Sequence, residues 1–290
     1  MQWLTALVLS LPLVGVYAIF AIGIVLIYRA SKVLNLAHGV MATAPAYALF
    51  QFDAWGLPLA AGLPLAIAAG GLLGWVVERV FVRPFRDQGP TSQTVGTVVV
   101  LGLGIALMAR VWGTSSVTGV TVFPADGLIP VGTSNLRYGE LGLFATMLAI
   151  FAALTALFKF TDLGLLMRGS AENPRAAALM GVNPQRLTAV TWVIGGALAG
   201  IAGILLSAIT VLEPYTLPLQ ALPGFLAALI GGLESVTGAL VGATIVGIIV
   251  GLVPFLPVFG SVQGSAQLFL AVLGLAVMAA RGDRHAGMEA

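Results

Sequence analysis

Apolar residues run along this chain in long blocks that are separated by short polar breaks. Nine blocks stand out, at residues 3–28, 33–50, 57–80, 94–112, 141–160, 187–212, 217–233, 236–256 and 264–280. About 20 consecutive apolar residues are enough for an α-helix to cross the hydrocarbon core of a bilayer. The pattern predicts an all-α, polytopic membrane bundle of about eight to nine transmembrane or half-spanning helices, forming one domain over residues 1–290.

Two blocks differ from a simple crossing helix. The first has no basic n-region and continues unbroken from about Trp3 to Tyr28, so we expect a retained membrane helix and not a signal peptide. Block 217–233 is interrupted by Pro218 and Pro223. Backbone groups in lipid must be satisfied internally, so this block predicts a short helix buried in protein.

Composition agrees with a lipid environment. The chain is 59% hydrophobic and only 8% charged, whereas a soluble domain has about 25% charged residues. The net charge of +2 gives no reason to expect a nucleic-acid partner, and zero cysteines exclude disulfides and thiolate metal sites. The phosphate-binding pattern G-x-x-x-x-G-K-[ST] does not occur, and no catalytic constellation stands out. We therefore expect no enzyme activity, metal or cofactor in this chain.

The basic residues predict an orientation. If the N-terminus is outside and every block crosses, 11 of the 13 lysines and arginines fall on the inner side, and only Arg110 and Arg137 fall outside. Such a bias is typical of cytoplasmic loops. It predicts an external loop at 113–140 and a cytoplasmic loop at 161–187. The external loop alternates Val, Thr and Ile with turn residues, which is compatible with an ordered cap or with a plain connector.

Small residues recur at the spacing that allows close helix packing. Four G-x-x-x-G pairs occur, at Gly70/Gly74, Gly196/Gly200, Gly238/Gly242 and Gly247/Gly251. Such pairs let helix backbones approach each other closely. Packing within one chain and packing between subunits both remain open, and the first is favoured.

The most hydrophilic stretch is RGSAENPRAAALMGVNPQR, residues 168–186. Asn173 and Pro174 form a start signal, because asparagine caps a helix and proline fits its first position. Gly181 and Val182 form a stop signal, with glycine in the left-handed position after the helix. The punctuation predicts a helix of about two turns, Pro174–Met180, about 10 Å long.

The asparagine–proline start signal then occurs a second time. Asn183 and Pro184 predict the start of the next membrane helix, from Gln185 to about Leu212. A two-turn helix is too short to be stable alone, so packing must hold it. A short capped helix at the cytoplasmic face suits insertion into a groove of another protein. A loop that merely reverses the chain is the alternative interpretation.

Polar residues are rare enough in the blocks to deserve individual interpretation. Asn35, His38 and Gly39 form a polar break in an apolar block, and such groups line a substrate path or form internal hydrogen bonds. Glu78 and Arg83 stand five apart, which does not assure a simple helical ion pair. Glu234 is expected at a cytoplasmic turn.

Four segments, in order, resemble the branched-chain amino acid permease family of ABC importers, most of all the smaller of its two membrane subunits. They are VLNLAHG at 33–39, ERVFVRPFR at 78–86, AENPRAAALMGVNPQR at 171–186 with the helix that follows, and IGGLESVTGALVG at 230–242. The resemblance covers nearly the whole chain. Glu234 and Thr237 depart from the glycine and proline that are common in the family.

This resemblance implies a permease of the bacterial cytoplasmic (inner) membrane, with its N-terminus outside. Its partners would be a second related permease, two cytoplasmic ATPase subunits and an external substrate-binding protein, and alternating access would carry branched-chain or related small amino acids. The coupling residues toward the ATPase would be Glu172, Asn173, Pro174, Arg175, Ala176, Ala177, Met180 and Gly181. A secondary transporter with broken helices, and an importer of urea, amides or other small solutes, are the alternatives.

Overall fold

The computed structural model describes residues 2–123, 127–131, 134–172, 174–256, 259, 262 and 264–286. Asn173, one of the predicted coupling residues, lies outside the described residues. The same holds for the side chains of four other predicted coupling residues, Glu172, Pro174, Arg175 and Ala176.

Within the described residues the chain is almost entirely helical, as the sequence predicted. The helices are α1 (Gln2–Ser31), α2 (His38–Ala54), α3 (Leu59–Val76), α4 (Pro90–Trp112), α5 (Tyr138–Phe160), α6 (Asp162–Glu172), α7 (Pro174–Leu179), α8 (Pro184–Ile209), α9 (Thr216–Leu219), α10 (Leu222–Gly231), α11 (Val236–Leu252) and α12 (Ser265–Ala286). The short strands are β1 (Val117–Thr118), β2 (Leu128–Val131), β3 (Ser134–Arg137) and β4 (Val211–Leu212). Helix α3 continues as a π-helical turn, Val77–Val82, and a 3₁₀ turn, Arg83–Gln88.

Two long helices form the centre of the bundle. Six of the described helices are long and apolar enough to cross a membrane. Of their apolar windows, that of α1 is 89% buried and that of α8 is 67% buried, whereas those of α4 and α5 are mostly exposed. Helix α1 packs against α5, α8, α10 and α11. The exposed apolar helices therefore surround a protein-packed core, as expected for a bundle in lipid.

All four glycine pairs pack within this chain. A Cβ on Gly70 would lie 2.7 Å from the carbonyl oxygen of Gly196, which joins the first two pairs in the α3–α8 contact. Gly242 lies against α10 in the same way, and Gly247 lies against Val14 of α1. The interpretation as packing inside one chain is confirmed.

The connection after α4 is ordered in its described part. Strand β1 pairs antiparallel with β4, and β2 pairs with β3 as a hairpin. The β1–β4 pair brings the end of α4 and the end of α8 to one side of the bundle. On the opposite side, Lys32 at the end of α1 forms an ion pair with Glu234, just before α11.

Block 217–233 crosses the bundle as two short helices. It starts next to β4 on one side and ends at Glu234 on the other, so α9 and α10 together complete the passage. The short helix expected there is present in two pieces, but it is only partly buried, because Leu219 and Leu222 are 59% and 60% exposed. Glu234 lies in the turn 232–235, as the sequence predicted.

The chain unwinds between α1 and α2 and turns back into the bundle. Lys32 has a positive φ of 58°, a conformation that is uncommon for a residue with a side chain. The backbone N–H groups of Leu34 and Leu36 then donate to the hydroxyls of Thr94 and Thr97 of α4, at 3.3 and 3.1 Å. Unwound backbone at this depth is stable because another helix supplies its hydrogen-bond partners.

Candidate functional site

The predicted cytoplasmic loop at 161–187 contains two helices where the sequence predicted one. Helix α6 precedes the predicted short helix, and α7 ends one residue earlier than expected, at Leu179. Helix α6 packs on α5, where a Cβ on Gly164 would lie 2.5 Å from the Cα of Phe158. Its glycines and serine gave little helix signal in the sequence, so packing decides its structure.

The end of α7 has the full hydrogen-bond pattern of a left-handed helix cap. Gly181 has φ +82°. Its N–H donates to the carbonyl of Ala178, and the N–H of Val182 donates to the carbonyl of Ala177, both at 3.0 Å. These are the two bonds of the Schellman motif, and they hold the last turn in place. The predicted stop signal is confirmed.

The tip of this helix presents two large apolar side chains. Leu179 is 89% exposed and Met180 is 85% exposed, whereas Ala177 is half-buried against the protein. Met180 belongs to the predicted coupling residues, whereas Leu179 was not among them. Helix α6 of the same loop also exposes apolar side chains, since Leu165 and Leu166 are 60% and 41% exposed. Exposed apolar groups of this kind are typical of a protein-binding surface.

Helix α8 starts where the second asparagine–proline pair predicted. The Asn183 side chain accepts hydrogen bonds from the N–H groups of Gln185 and Arg186, at 3.0 and 3.1 Å. This N-cap satisfies two backbone donors at the first turn. It fixes the direction in which α7 is presented, because only three residues separate Met180 from Pro184.

The neighbouring end of α3 contains an ion pair that the spacing did not assure. Nε and Nη2 of Arg83 donate to the two carboxylate oxygens of Glu78, at 3.0 and 2.7 Å. The π-helical turn explains the spacing, because its backbone bonds join residues five apart, including the N–H of Arg83 and the carbonyl of Glu78. The bidentate pair lies in the bundle, with side-chain exposure of only 5% for Glu78 and 23% for Arg83.

The three residues predicted to line a substrate path lie in the packed interior of this chain. Asn35 is buried, and its side-chain oxygen accepts from the N–H of Ala37 at 3.1 Å. His38 is fully buried against Phe20, and its two ring nitrogens have no hydrogen-bond partner among the described residues. A Cβ on Gly39 would overlap the backbone of Pro218. A role of these residues in the path stays a prediction.

An open apolar groove of about 1020 Å³ lies between α10 and α12. Its walls are mostly leucine, phenylalanine and alanine side chains, with isolated polar groups such as Tyr17, Thr216 and Gln267. Helix α12 contacts α10 and α11 only sparsely, so one side of the groove is open to the surroundings.

Long apolar spans, a protein-packed central helix and a short capped helix in a polar loop define a multi-pass membrane protein of the permease type. A family model described as "Branched-chain amino acid transport system / permease component" matches residues 6–280. The chain belongs to this family.

Individual relatives agree with the family assignment. The high-affinity branched-chain amino acid transport system permease protein LivH of Escherichia coli K12 is 30% identical over 243 residues, 78% of this chain and 77% of LivH. The corresponding protein BraD of Pseudomonas aeruginosa is 27% identical over 256 residues, 83% of this chain and 82% of BraD.

A solved structure shares the fold. In the PsaBC complex of Streptococcus pneumoniae with a Fab, a chain aligns with a TM-score of 0.51 and 14% identity, covering 93% of this chain and 89% of that one. The similarity extends over almost the whole chain, so a protein of known structure also has this overall fold.

Proposed function

We propose that this chain is a permease subunit of an ATP-binding-cassette importer, and that it forms the translocation path together with a second, related permease. The cargo is a branched-chain or related small amino acid, which the names of LivH and BraD support. Two cytoplasmic ATPase subunits drive the cycle, and an external binding protein delivers the substrate. The chain itself has no enzymatic role.

The exposed tip of α7 is the observation that carries the coupling part of the proposal. Leu179 and Met180 stand out of the bundle on a capped two-turn helix between two longer helices. Burying both side chains in a groove of an ATPase subunit contributes about 3–6 kcal/mol. The Schellman cap at Gly181 and the N-cap at Asn183 keep the tip rigid, so less conformational entropy is lost on docking.

A path between two chains agrees with the packing inside this one. Helix α1 is enclosed by helices of the same chain, which fills the centre of the bundle. The groove between α10 and α12 is the larger open feature, and in the proposal it faces the second permease.

The orientation follows from charge. Lys32, Arg83 and Arg186 lie on the side of α7, as do most other basic residues, and Arg110 and Arg137 lie towards the β1–β4 side. In the proposal the side of α7 is therefore cytoplasmic, and the β1–β4 side, with the N-terminus, is external. The hairpin of β2 and β3 then faces the binding protein.

The test replaces the tip of α7 by charge. In the variant Leu179→Asp/Met180→Asp, co-purification of the ATPase subunits falls at least about 100-fold, because about 3 kcal/mol of apolar burial is lost. ATP-driven uptake of leucine into proteoliposomes falls with it. The control is Trp55→Asp, which charges an exposed apolar side chain in the turn after α2, on the opposite face and outside the hairpin of β2 and β3.

Two results would contradict the proposal. If the tip variant keeps full ATPase association and uptake, α7 is not the docking element. If the purified chain alone transports leucine on an ion gradient without ATP, the protein is a secondary transporter instead. Uptake of urea or amides in place of leucine would retain the coupling mechanism and change only the cargo.

A further inference from the structure

A second cavity, of about 520 Å³, opens between the ends of α3 and α8 on the side of α7. Three arginines line it: Arg79 and Arg83 come from the π-helical end of α3, and Arg186 comes from the first turn of α8. Its lining contains no carboxylate. The cavity is therefore positively charged. It is separate from α7 and from the groove between α10 and α12, and the proposed function gives it no role.

The three guanidinium groups are not equivalent. Arg83 is held by Glu78 through two hydrogen bonds, which fixes its position at the edge of the cavity. Arg79 and Arg186 form no ion pair within the described part of the chain, and both are exposed. Two cations thus stand free beside a third that is already oriented. Guanidinium groups arranged in this way match the oxygens of a phosphate ester.

The opposite wall of the cavity is apolar and belongs to the membrane-spanning helices. Trp75 lies one helical turn before Arg79 and is 45% exposed, and Val193 faces it from α8. Both lie inside apolar windows long enough to span a bilayer. Tryptophan is enriched where hydrocarbon meets headgroups, so this wall lies at the boundary between the two.

We infer that this cavity binds the phosphate headgroup of an anionic membrane lipid, with Arg79 and Arg186 on the phosphate and the first acyl carbons against Trp75 and Val193. A basic pocket between membrane helices is suited to such headgroups. The apolar wall favours a lipid over a soluble anion, because free phosphate gains nothing from it. It also favours a lipid over an ATPase surface, because Trp75 and Val193 belong to apolar spans long enough to cross a bilayer.

The test measures lipid binding to the full chain in its purified transporter complex, by native mass spectrometry with phosphatidylglycerol and phosphatidylcholine. The unaltered protein binds phosphatidylglycerol more tightly, by about 30-fold for two unpaired arginines. The variant Arg79→Gln/Arg186→Gln loses this preference. Arg79→Lys/Arg186→Lys keeps both charges and retains most of it, and an unchanged Tm of the glutamine variant shows that its loss of binding is not loss of folding. The matched control is Arg86→Gln, at an exposed arginine of the adjacent 3₁₀ turn that does not line the cavity.

Three outcomes would overturn the inference. In the first, Arg79→Gln/Arg186→Gln binds phosphatidylglycerol as tightly as the unaltered protein. In the second, excess inorganic phosphate at constant ionic strength displaces the lipid and binds by itself, which makes this a site for a free anion. In the third, the double variant keeps the lipid and loses the ATPase subunits, which makes the arginines a protein contact.

Discussion

The Glu78–Arg83 ion pair predicts an unequal cost for removing its two partners. Glu78 has a side-chain exposure of only 5%, so Arg83→Gln leaves a buried carboxylate without its cation. Removing one partner of a buried pair costs about 3–5 kcal/mol. Arg83 is 23% exposed and reaches water when its partner is lost, so Glu78→Gln costs less, about 1 kcal/mol. The double variant, which leaves no unpaired charge, costs about as much as Glu78→Gln alone.

Thermal unfolding of the detergent-solubilised protein measures these differences. For a chain of this size, each kcal/mol shifts Tm by about 2–4 °C. We expect Arg83→Gln to lower Tm by about 6–20 °C, and Glu78→Gln and the double variant to lower it by only about 2–4 °C. Arg86→Gln, an exposed and unpaired arginine of the following turn, is the control and leaves Tm unchanged.

The Tm losses of the two single variants and the double variant show whether Glu78 and Arg83 are energetically coupled. A double-mutant cycle with a coupling energy near zero, in which the two losses add, would refute the reasoning that the π-helical turn makes the two residues one unit. Equal losses for the two single variants would refute the argument from unequal burial.

Three further predictions concern local geometry. In Gly74→Val the new side chain overlaps the carbonyl of Trp192 and forces α3 away from α8. We expect a loss of about 1–3 kcal/mol in the free energy of unfolding, measured by thermal unfolding. The control Gly102→Val, with open space around it, leaves the stability unchanged. Asn183→Ala removes the N-cap of α8 and costs about 1 kcal/mol, and an unchanged Tm would contradict its capping role. Gly181→Val places a branched side chain at a positive φ, which costs about 1–2 kcal/mol of conformational energy. ATP-driven uptake falls because the tip of α7 is displaced, and full uptake would contradict the role of Gly181 in positioning that tip.

The features that sequence reasoning found are those decided by a few neighbouring residues. Gly181 lies at a positive φ and Asn183 supplies a side-chain acceptor at a helix start. Both features can be predicted from the residue type alone, because glycine favours a positive φ and asparagine favours the N-cap. Glycine spacing likewise predicted close helix packing, and the structure shows that Gly70 and Gly196 form the α3–α8 contact. The blocks of apolar residues gave the helices because lipid requires long uninterrupted spans.

The features that it missed depend on distant parts of the chain. The π-helical turn at 77–82 contains no glycine or proline that would predict it from the sequence. A spacing of five between Glu78 and Arg83 therefore looked unfavourable for a helical ion pair. Helix α6 depends on its contact with α5. The hydroxyls of Thr94 and Thr97 read as ordinary polar positions at a helix start, because their acceptor role appears only when residues 34 and 36 lie beside them.

The unwound segment between α1 and α2 has a consequence for how the protein is made. Leu34 receives its hydrogen-bond partner from Thr94, 60 residues later in the chain. When α1 and the start of α2 leave the ribosome, α4 has not yet been synthesised, and these backbone groups cannot remain unpaired in hydrocarbon. We therefore expect the start of α2 to reach its final position in the bundle only after α4 has been inserted, when the hydroxyl of Thr94 becomes available to the N–H of Leu34.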